Sequence, residues 1–235
     1  MHDLQTAFLL AGKLIYKLDT DLMEIIGLSM GVSLGAVFLS CVVGMVLGAF
    51  VGVIRFRGRA TVIILLNSLM GLPPVVVGLG VYLLLSRAGP LGVFGLLYTP
   101  TAMIIAQTIL VTPIVAALTR VVVEDLAAEY DEQLRSLGVS GPRLMVTLLW
   151  DARYSLVTVA LAGFGRAVAE VGAVMIVGGN IDHLTRVMTT AITLETSKGN
   201  LALALALGII LVGISLLVNG AVAVLSGRSG KTRYE

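Results

Sequence analysis

Long apolar runs alternate with short charged segments along the chain. The runs cover residues 27–54, 61–85, 101–119, 155–177 and 201–226. A helix of about 20 apolar residues is long enough to cross a bilayer, and each run meets or approaches that length. The pattern therefore predicts an all-α polytopic membrane protein, with one transmembrane domain over residues 1–235 and about five transmembrane helices.

Small residues recur at spacings of four in the first run. They form two series: Gly27, Gly31 and Gly35, then Ser40, Gly44, Gly48 and Gly52. Small residues at this spacing allow helix backbones to approach closely in lipid. The series predict close helix packing, either within the subunit or against a second copy.

The second run contains two prolines near its middle, Pro73 and Pro74. Proline removes a backbone donor and breaks or kinks a helix. A broken helix at membrane depth is tolerated where it faces protein or a cavity. The kink is therefore either part of a gate or transport path, or a feature of packing alone. Candidate path residues near it or on the third run are Asn67, Ser68, Pro73, Pro74, Thr108 and Thr112.

Residues 124–153 form the longest strongly charged segment. We interpret it as two short helices, with the first over about 126–137 and a turn at Gly138, where glycine adopts the left-handed conformation at little cost. Ser140 is a candidate cap of the second helix, and Pro142 falls in its first turn. Apolar residues at helical spacing give the first helix one apolar face, which favours a packing partner over a solvated loop helix. The segment carries the charges Glu129, Glu132, Arg135 and Arg143.

Two ionisable residues, Arg166 and Glu170, fall inside the predicted fourth span. Four residues apart on one helix, they share a face and can form an ion pair. Charged groups at membrane depth are usually paired or face a cavity. The alternative is that Glu170 carries protons in an ion-coupled secondary transporter. A membrane scaffold is a third class, which needs neither the kink nor the charged turn.

The remaining segments lie outside the membrane in this interpretation. Residues 1–24 form an external amphipathic surface helix or a loosely ordered terminus, and residues 178–200 form an external loop with Asn180, Thr185 and Arg186. The predicted inside segments hold ten Lys and Arg residues: Arg55, Arg57, Arg59, Arg120, Arg135, Arg143, Arg153, Arg228, Lys231 and Arg233. The outside segments hold five: Lys13, Lys17, Arg87, Arg186 and Lys198. The bias places the N-terminus outside and the C-terminus inside.

Composition agrees with a membrane protein and lowers the probability of other classes. Hydrophobic residues make up 57% and charged residues 13% of the chain, against about 25% charged residues in a soluble domain. No basic patch interleaved with aromatics indicates nucleic acid binding. One cysteine and two histidines predict neither a disulfide nor a metal site. Gly227–Thr232 only superficially matches a phosphate-binding loop, so we expect no ATP site in this chain.

The charged segment resembles the cytoplasmic coupling motif of ATP-binding-cassette (ABC) importer permeases. Glu132, Gly138 and Leu148 match its spacing, while Gln133-Leu134 and Trp150-Asp151 depart from the family pattern. Between about Gly27 and Gly220, the order of features resembles the oxyanion branch, and three segments look most like tungstate permeases. These are Gly163–Ala173, then Gly178–Ile181 with Thr185–Arg186, and finally Thr189–Ile192 with Leu194–Thr196.

The resemblance implies a permease of the type I importer fold in the cell (inner) membrane. It implies a homodimer, two ATPase subunits that bind ATP and Mg, and an extracytoplasmic oxyanion-binding protein. The coupling residues would be Glu129, Glu132, Arg135, Gly138 and Arg143. The chain itself would not be an enzyme. Molybdate and sulfate are the alternative substrates within this class.

Overall fold

The structure, a computed structural model, is all-helical in the residues that it describes, namely 2–17, 19–130, 138 and 141–230. Its helices are α1 (His2–Tyr16), α2 (Thr20–Val53), α3 (Arg59–Leu69), α4 (Pro74–Leu85), α5 (Pro100–Glu129), α6 (Pro142–Asp151), α7 (Arg153–Val168), α8 (Gly172–Gly178), α9 (Met188–Ser197) and α10 (Leu201–Gly230). Among these described helices, three are long and apolar enough to cross a membrane, namely α2, α5 and α10. The number rises to five if the bent pairs α3–α4 and α6–α7 each form one span.

The first of two compact units takes its residues from Met1–Gly35, Pro73–Gln107 and Ala167–Ala221. Its apolar core contains Ala11, Leu22, Met188, Ala191, Ala206, Leu207 and Ile210. Helix α1 contributes Ala11 to this core, while Phe8 and Ile15 are 61% and 55% exposed. The N-terminal segment is therefore a helix that packs on its own unit through its small residues and leaves large apolar side chains at the surface.

The second unit takes its residues from Ala36–Leu72, Thr108–Arg166 and Val222–Glu235. Its α2 and α5 approach so closely that a Cβ on Gly48 would lie 2.4 Å from the carbonyl oxygen of Ala116. Gly44 and Gly52 also face α5. The second series of small residues therefore packs within the subunit. A Cβ on Gly27 or Gly31 would meet no atom within 4 Å.

Two helices are longer than their apolar runs. Helix α2 begins at Thr20 rather than at residue 27, with Asp19 Oδ1 accepting a hydrogen bond from the backbone N–H of Leu22. Helix α5 continues past the apolar run, beyond Arg120 to Glu129. It continues because Glu124, one turn further on, pairs with Arg120. Residues 126–129 are therefore the last residues of α5, so the prediction that a separate short helix begins at about residue 126 is wrong.

The second span is broken where its prolines predict. Helix α3 ends at Leu69 and α4 begins at Pro74, with Pro73 in an extended conformation before it. The predicted fourth span is also broken, and here the continuous helix over 155–177 is wrong. Helix α7 ends at Val168, and α8 begins only at Gly172. Glu170 lies in the break, so the helical spacing assumed for Arg166 and Glu170 does not apply.

The predicted loop 178–200 contains a ten-residue helix. Helix α9 occupies Met188–Ser197, and its first four residues are buried. The threonine-rich composition is typical of a loop, but the threonine hydroxyls bond to the main chain, which permits their burial. The final helix α10 runs to Gly230, so Gly227–Gly230 are helical and do not form a phosphate-binding loop.

Candidate functional site

The turn of the charged segment has the predicted backbone conformation. Gly138 has φ +65°, in the left-handed region, which confirms the expectation from the sequence. A Cβ at this position would meet no atom within 4 Å. The requirement for glycine is therefore conformational and does not arise from crowding. Two predicted coupling residues in the turn region, Glu132 and Arg135, lie outside the described residues, while Glu129 is exposed at the end of α5.

The second helix of the charged segment, α6, begins differently from the prediction. Ser140 lies outside the described residues, and Gly141 occupies the N-cap position with φ +61°. Pro142 is the first helical residue, where its missing N–H is harmless. Arg143 follows on the exposed surface.

Helix α6 packs through one face and presents apolar side chains on another. Leu148 is 1% exposed and forms a small core with Ala49 of α2 and Val123 of α5, which we call the Leu148 core. On the other face, Val146 and Trp150 are 68% and 72% exposed. The guanidinium of Arg153 lies 5.2 Å from the Trp150 ring centroid. Sequence reasoning noted Trp150 only as a departure from the family pattern, although its position four residues after Val146 predicts a shared face.

Three charged residues join the ends of α2, α3 and α5 beside the Leu148 core. One carboxylate oxygen of Glu124 accepts a hydrogen bond from Arg59, and the other accepts one from Arg120. Arg59 also donates from Nε to the carbonyl oxygen of Val51 at 2.7 Å. We call this group the Glu124 clamp. Sequence reasoning counted both arginines for topology and missed their shared partner, because residues 59 and 124 are far apart in the chain.

The candidate path residues fall on different helices. Asn67 and Ser68 are exposed on α3, and the Ser68 hydroxyl donates to the carbonyl oxygen of Ile64 at 2.8 Å. Thr108 and Thr112 are half-buried on α5, and the Thr112 hydroxyl donates to the carbonyl oxygen of Thr108 at 2.7 Å. A hydroxyl has a single proton to donate. Ser68 and Thr112 would therefore have to give up a main-chain bond to donate to an anion.

The break between α7 and α8 is stabilised by side-chain donors. Gln107 Nε2 donates to the carbonyl oxygen of Ala167 at 3.0 Å, and the Thr189 hydroxyl donates to that of Glu170 at 2.8 Å. The Ala167 carbonyl oxygen also accepts from the backbone N–H of Glu170 at 3.2 Å, so Gln107 is its second donor. Main-chain polar groups at a helix break in a membrane need such partners. Sequence reasoning did not assign this role to Gln107 or Thr189, since the contacts join residues distant in sequence.

The Glu170 side chain also supports this break. The residue is 3% exposed, and Oε1 accepts a hydrogen bond from the backbone N–H of Ala173 at 3.0 Å, in the first turn of α8. A carboxylate at a helix N-terminus satisfies an orphan donor and interacts favourably with the helix dipole. Close by is a cavity of about 10 Å³, room for about one water molecule, lined in part by Ser33, Gln107 and Glu170. The predicted ion pair with Arg166 stays a prediction.

Threonines of the predicted loop 178–200 make hydrogen bonds inside the fold. Their hydroxyls donate to main-chain carbonyl oxygens, Thr185 to Gly178 at 2.6 Å and Thr190 to Val187 at 3.0 Å. Thr185 also accepts from the backbone N–H of Ile181 at 2.9 Å. These bonds order the connection between α8 and α9. The predicted role of Thr185 at an external surface therefore conflicts with its complete burial.

Charged residues surround the same connection at the surface. Arg186 pairs with Asp182, and His183 Nδ1 lies 2.8 Å from a carboxylate oxygen of Glu24 at the start of α2. The hydrogen bond from Glu24 raises the pKa of His183 above its ordinary value, and the nearby charges of Glu24 and Asp182 add to the effect. Asn180 adopts a left-handed conformation with φ +51°. Among the described residues, no group of three or more His, Cys, Asp or Glu side chains is arranged to hold a metal ion.

The described residues combine apolar helices long enough to cross a membrane, broken helices and a helix, α6, with an exposed apolar face. Comparison with known proteins agrees. The family model described as "Binding-protein-dependent transport system inner membrane component" matches residues 44–231. The chain is 42% identical over 205 residues to the probable anion ABC transporter permease protein of Haloferax volcanii, covering 85% of this chain and 88% of that protein.

Two further relatives are tungstate uptake system permease proteins TupB. The chain is 40% identical over 222 residues to that of Peptoclostridium acidaminophilum, covering 94% of this chain and 97% of that protein. It is 41% identical over 165 residues to that of Campylobacter jejuni, covering 70% and 69%. The chain therefore belongs to the family of inner membrane components of binding-protein-dependent transport systems, as a multi-pass membrane protein.

Proposed function

We propose that the chain is the permease subunit of an ATP-driven ABC importer that carries tungstate. The observation that supports this best is the charged turn, with α5 and α6 packed together through the Leu148 core and Gly138 in the left-handed conformation between them. The substrate is inferred from the two tungstate permeases that are about as similar to this chain as the anion permease.

The exposed face of α6 is the proposed contact with the ATPase. Val146 and Trp150 together leave a large apolar area uncovered in the chain. Tryptophan is enriched at the energetic centres of protein interfaces. Exposed Glu129 and Arg143 flank the turn, where they would contribute polar contacts with the ATPase. In this arrangement ATP and Mg bind to the ATPase, and this chain supplies the moving helices.

The complete importer would contain two copies of this chain, two ATPase subunits and an extracytoplasmic binding protein. The five spans would place the N-terminus outside and the C-terminus inside, so that the charged turn meets ATP in the cytoplasm. A reporter fused to the C-terminus tests this orientation, and activity of a reporter that works only outside the cell would exclude it.

A weak path for the oxyanion fits the hydrogen bonding. Two of the candidate path hydroxyls, those of Ser68 and Thr112, already donate to the main chain, which leaves fewer donors for an anion. Weak binding also favours release, since a tight site would trap the ion. We infer that the binding protein supplies most of the selectivity. Permease mutations at Asn67 or Thr108 should therefore not reverse the preference among oxyanions.

The test is ATP hydrolysis by the reconstituted complex in liposomes. The binding protein is supplied empty or loaded with tungstate, molybdate or sulfate. Stimulation by tungstate alone supports the proposal, and stimulation by another oxyanion reassigns the substrate within the same class. If uptake instead follows a proton gradient without ATP, the chain is a secondary transporter and Glu170 is the residue to mutate. The cap that the Glu170 carboxylate forms on α8 favours a structural role for it.

A further inference from the structure

The Glu124 clamp joins three helix ends in the second unit. Arg59 is the first residue of α3, while Val51 and Gly52 belong to the last turn of α2. The Arg59 guanidinium reaches both of their carbonyl oxygens, at 2.7 Å from Nε and 3.4 Å from Nη2, and also reaches Glu124 on α5. One guanidinium therefore bonds to two other helices at once.

The geometry requires arginine and a carboxylate. A guanidinium presents several donors in a rigid plane, whereas a lysine ammonium is a single point charge. Glu124 uses each carboxylate oxygen for a different arginine. The side chains of Arg59 and Glu124 are 29% and 28% exposed, and that of Arg120 is 15% exposed. Partly buried ion pairs are screened less by salt than exposed ones.

The clamp lies next to the proposed coupling segment. Val123, the neighbour of Glu124 in sequence, is completely buried in the Leu148 core, and α5 continues from Glu124 to Glu129 at the edge of the charged turn. Helix α6 packs on the same core through Leu148. A displacement of α6 would therefore be passed to α5 through apolar contacts. Helix α3 is joined to α2 and α5 through Arg59.

We propose that the Glu124 clamp transmits the movement of the coupling segment to α3, and thereby to the part of α3 that carries Asn67 and Ser68. This inference rests on the proposed function. Arg59, Glu124 and Arg120 act as positioning residues in this scheme. Without the clamp, the ATPase would still close and hydrolyse ATP, but α3 would no longer follow.

The first experiment compares two arginine variants in the reconstituted complex. Arg59→Gln removes one charge from the clamp, and Arg57→Gln removes one charge from an exposed position two residues earlier, in the loop before α3. Glu124→Gln is a second test of the clamp, because it leaves the contacts of Arg59 with α2 in place. Immunoblots of the membrane fraction check that each variant is inserted.

The readout is the amount of tungstate taken up per ATP hydrolysed. We expect Arg59→Gln and Glu124→Gln to lower this ratio about tenfold, within the range typical of coupling between two sites, while Arg57→Gln keeps it. A loss of fold alone would lower uptake and hydrolysis together and leave the ratio unchanged. Equal effects of Arg57→Gln and Arg59→Gln would assign the result to net charge and overturn the proposal.

The second experiment follows α3 directly and needs no oxyanion. Ser68→Cys is introduced in a Cys41→Ala background, and the rate of its reaction with a water-soluble maleimide is measured with the ATPase present, with and without ATP plus vanadate. The parent should react at different rates in the two states. In Glu124→Gln the ratio of the two rates should fall to about 1, as expected when the two states are no longer linked.

The outcomes separate the clamp from the proposed function. If both Arg59→Gln and Glu124→Gln keep the wild-type ratio of labelling rates, the proposal that the Glu124 clamp transmits movement to α3 is overturned. If the unaltered complex takes up no oxyanion, the proposed function is contradicted, and the labelling measurement still decides whether nucleotide moves α3 through Glu124.

Discussion

The close approach of α2 and α5 at Gly48 makes a prediction for Gly48→Ala. The added Cβ would lie 2.4 Å from the Ala116 carbonyl oxygen, 2.8 Å from Thr119 Cβ and 3.0 Å from the Arg120 backbone nitrogen. Real Cβ atoms essentially never approach another heavy atom this closely. Two of the three neighbours are backbone atoms, which cannot rotate away, so the two helices must separate.

The magnitude follows from two opposing terms. Replacing glycine by alanine inside a helix favours folding by about 1 kcal/mol. Overpacking a close contact costs about 1–3 kcal/mol, and the backbone contacts place Gly48 at the upper end. The net destabilisation is about 2 kcal/mol. For a chain of this size that lowers the melting temperature by about 4–8 °C.

The assay is thermal unfolding of the purified protein in detergent, followed by far-ultraviolet circular dichroism. Gly27→Ala, on the same helix, is the matched control because its Cβ would meet no atom within 4 Å. This control gains the higher helix propensity of alanine without a new close contact, so its melting temperature should equal or exceed that of the wild type. If Gly48→Ala and Gly27→Ala have the same melting temperature, the close contact of α2 and α5 is refuted.

Three further predictions concern the turn, the broken helix and the surface histidine. Gly138→Val should insert normally but take up little tungstate per ATP, because valine disfavours φ +65°, while Gly138→Asn should retain uptake; normal uptake by the valine variant would argue against the turn. Gln107→Leu removes one of two donors to the Ala167 carbonyl oxygen, the other being the backbone N–H of Glu170 at 3.2 Å, and should cost about 0.5–1.5 kcal/mol in thermal unfolding, whereas an unchanged melting temperature would contradict the role of that hydrogen bond. Because Glu24 raises the pKa of His183 above 6.5, their contact should stabilise the fold fully below about pH 6.5 and be lost as the pH rises through the folded-state pKa. The melting temperature of His183→Gln should therefore differ from wild type more at about pH 6 than at about pH 8.5, and a constant difference would refute the link.

Features that depend on local chemistry were predictable from the sequence. Proline disfavours a helix interior because it lacks the backbone N–H, and Pro73 and Pro74 located the break between α3 and α4 correctly, although α5 continues through the single Pro113. Glycine tolerates a positive φ, and Gly138 has one. The apolar runs located the long helices, because the hydrophobic pattern needs no knowledge of partners.

The ends of the helices were less predictable from the sequence, because the charge of Arg120 was interpreted without its ion-pair partner. Arg120 has the appearance of a stop at the inner membrane surface, yet α5 continues for nine residues beyond it. The charge is tolerated there because Glu124 binds it, and Glu124 in turn binds Arg59 from another helix. A pair at a spacing of four can be found in the sequence, but the third member cannot.

The break at Glu170 shows the same limit for polar residues. No proline or other strong breaker separates α7 from α8, so local propensity favours one continuous helix over 155–177. Gln107 and Thr189, from other parts of the chain, stabilise the interruption by donating to the carbonyl oxygens of Ala167 and Glu170. Thr189 thereby belongs to the buried structure, although its composition-based assignment was an external loop. In a membrane protein, the polar residues that indicate a site in the sequence are also those that a broken helix needs, and only their hydrogen bonds distinguish the two uses.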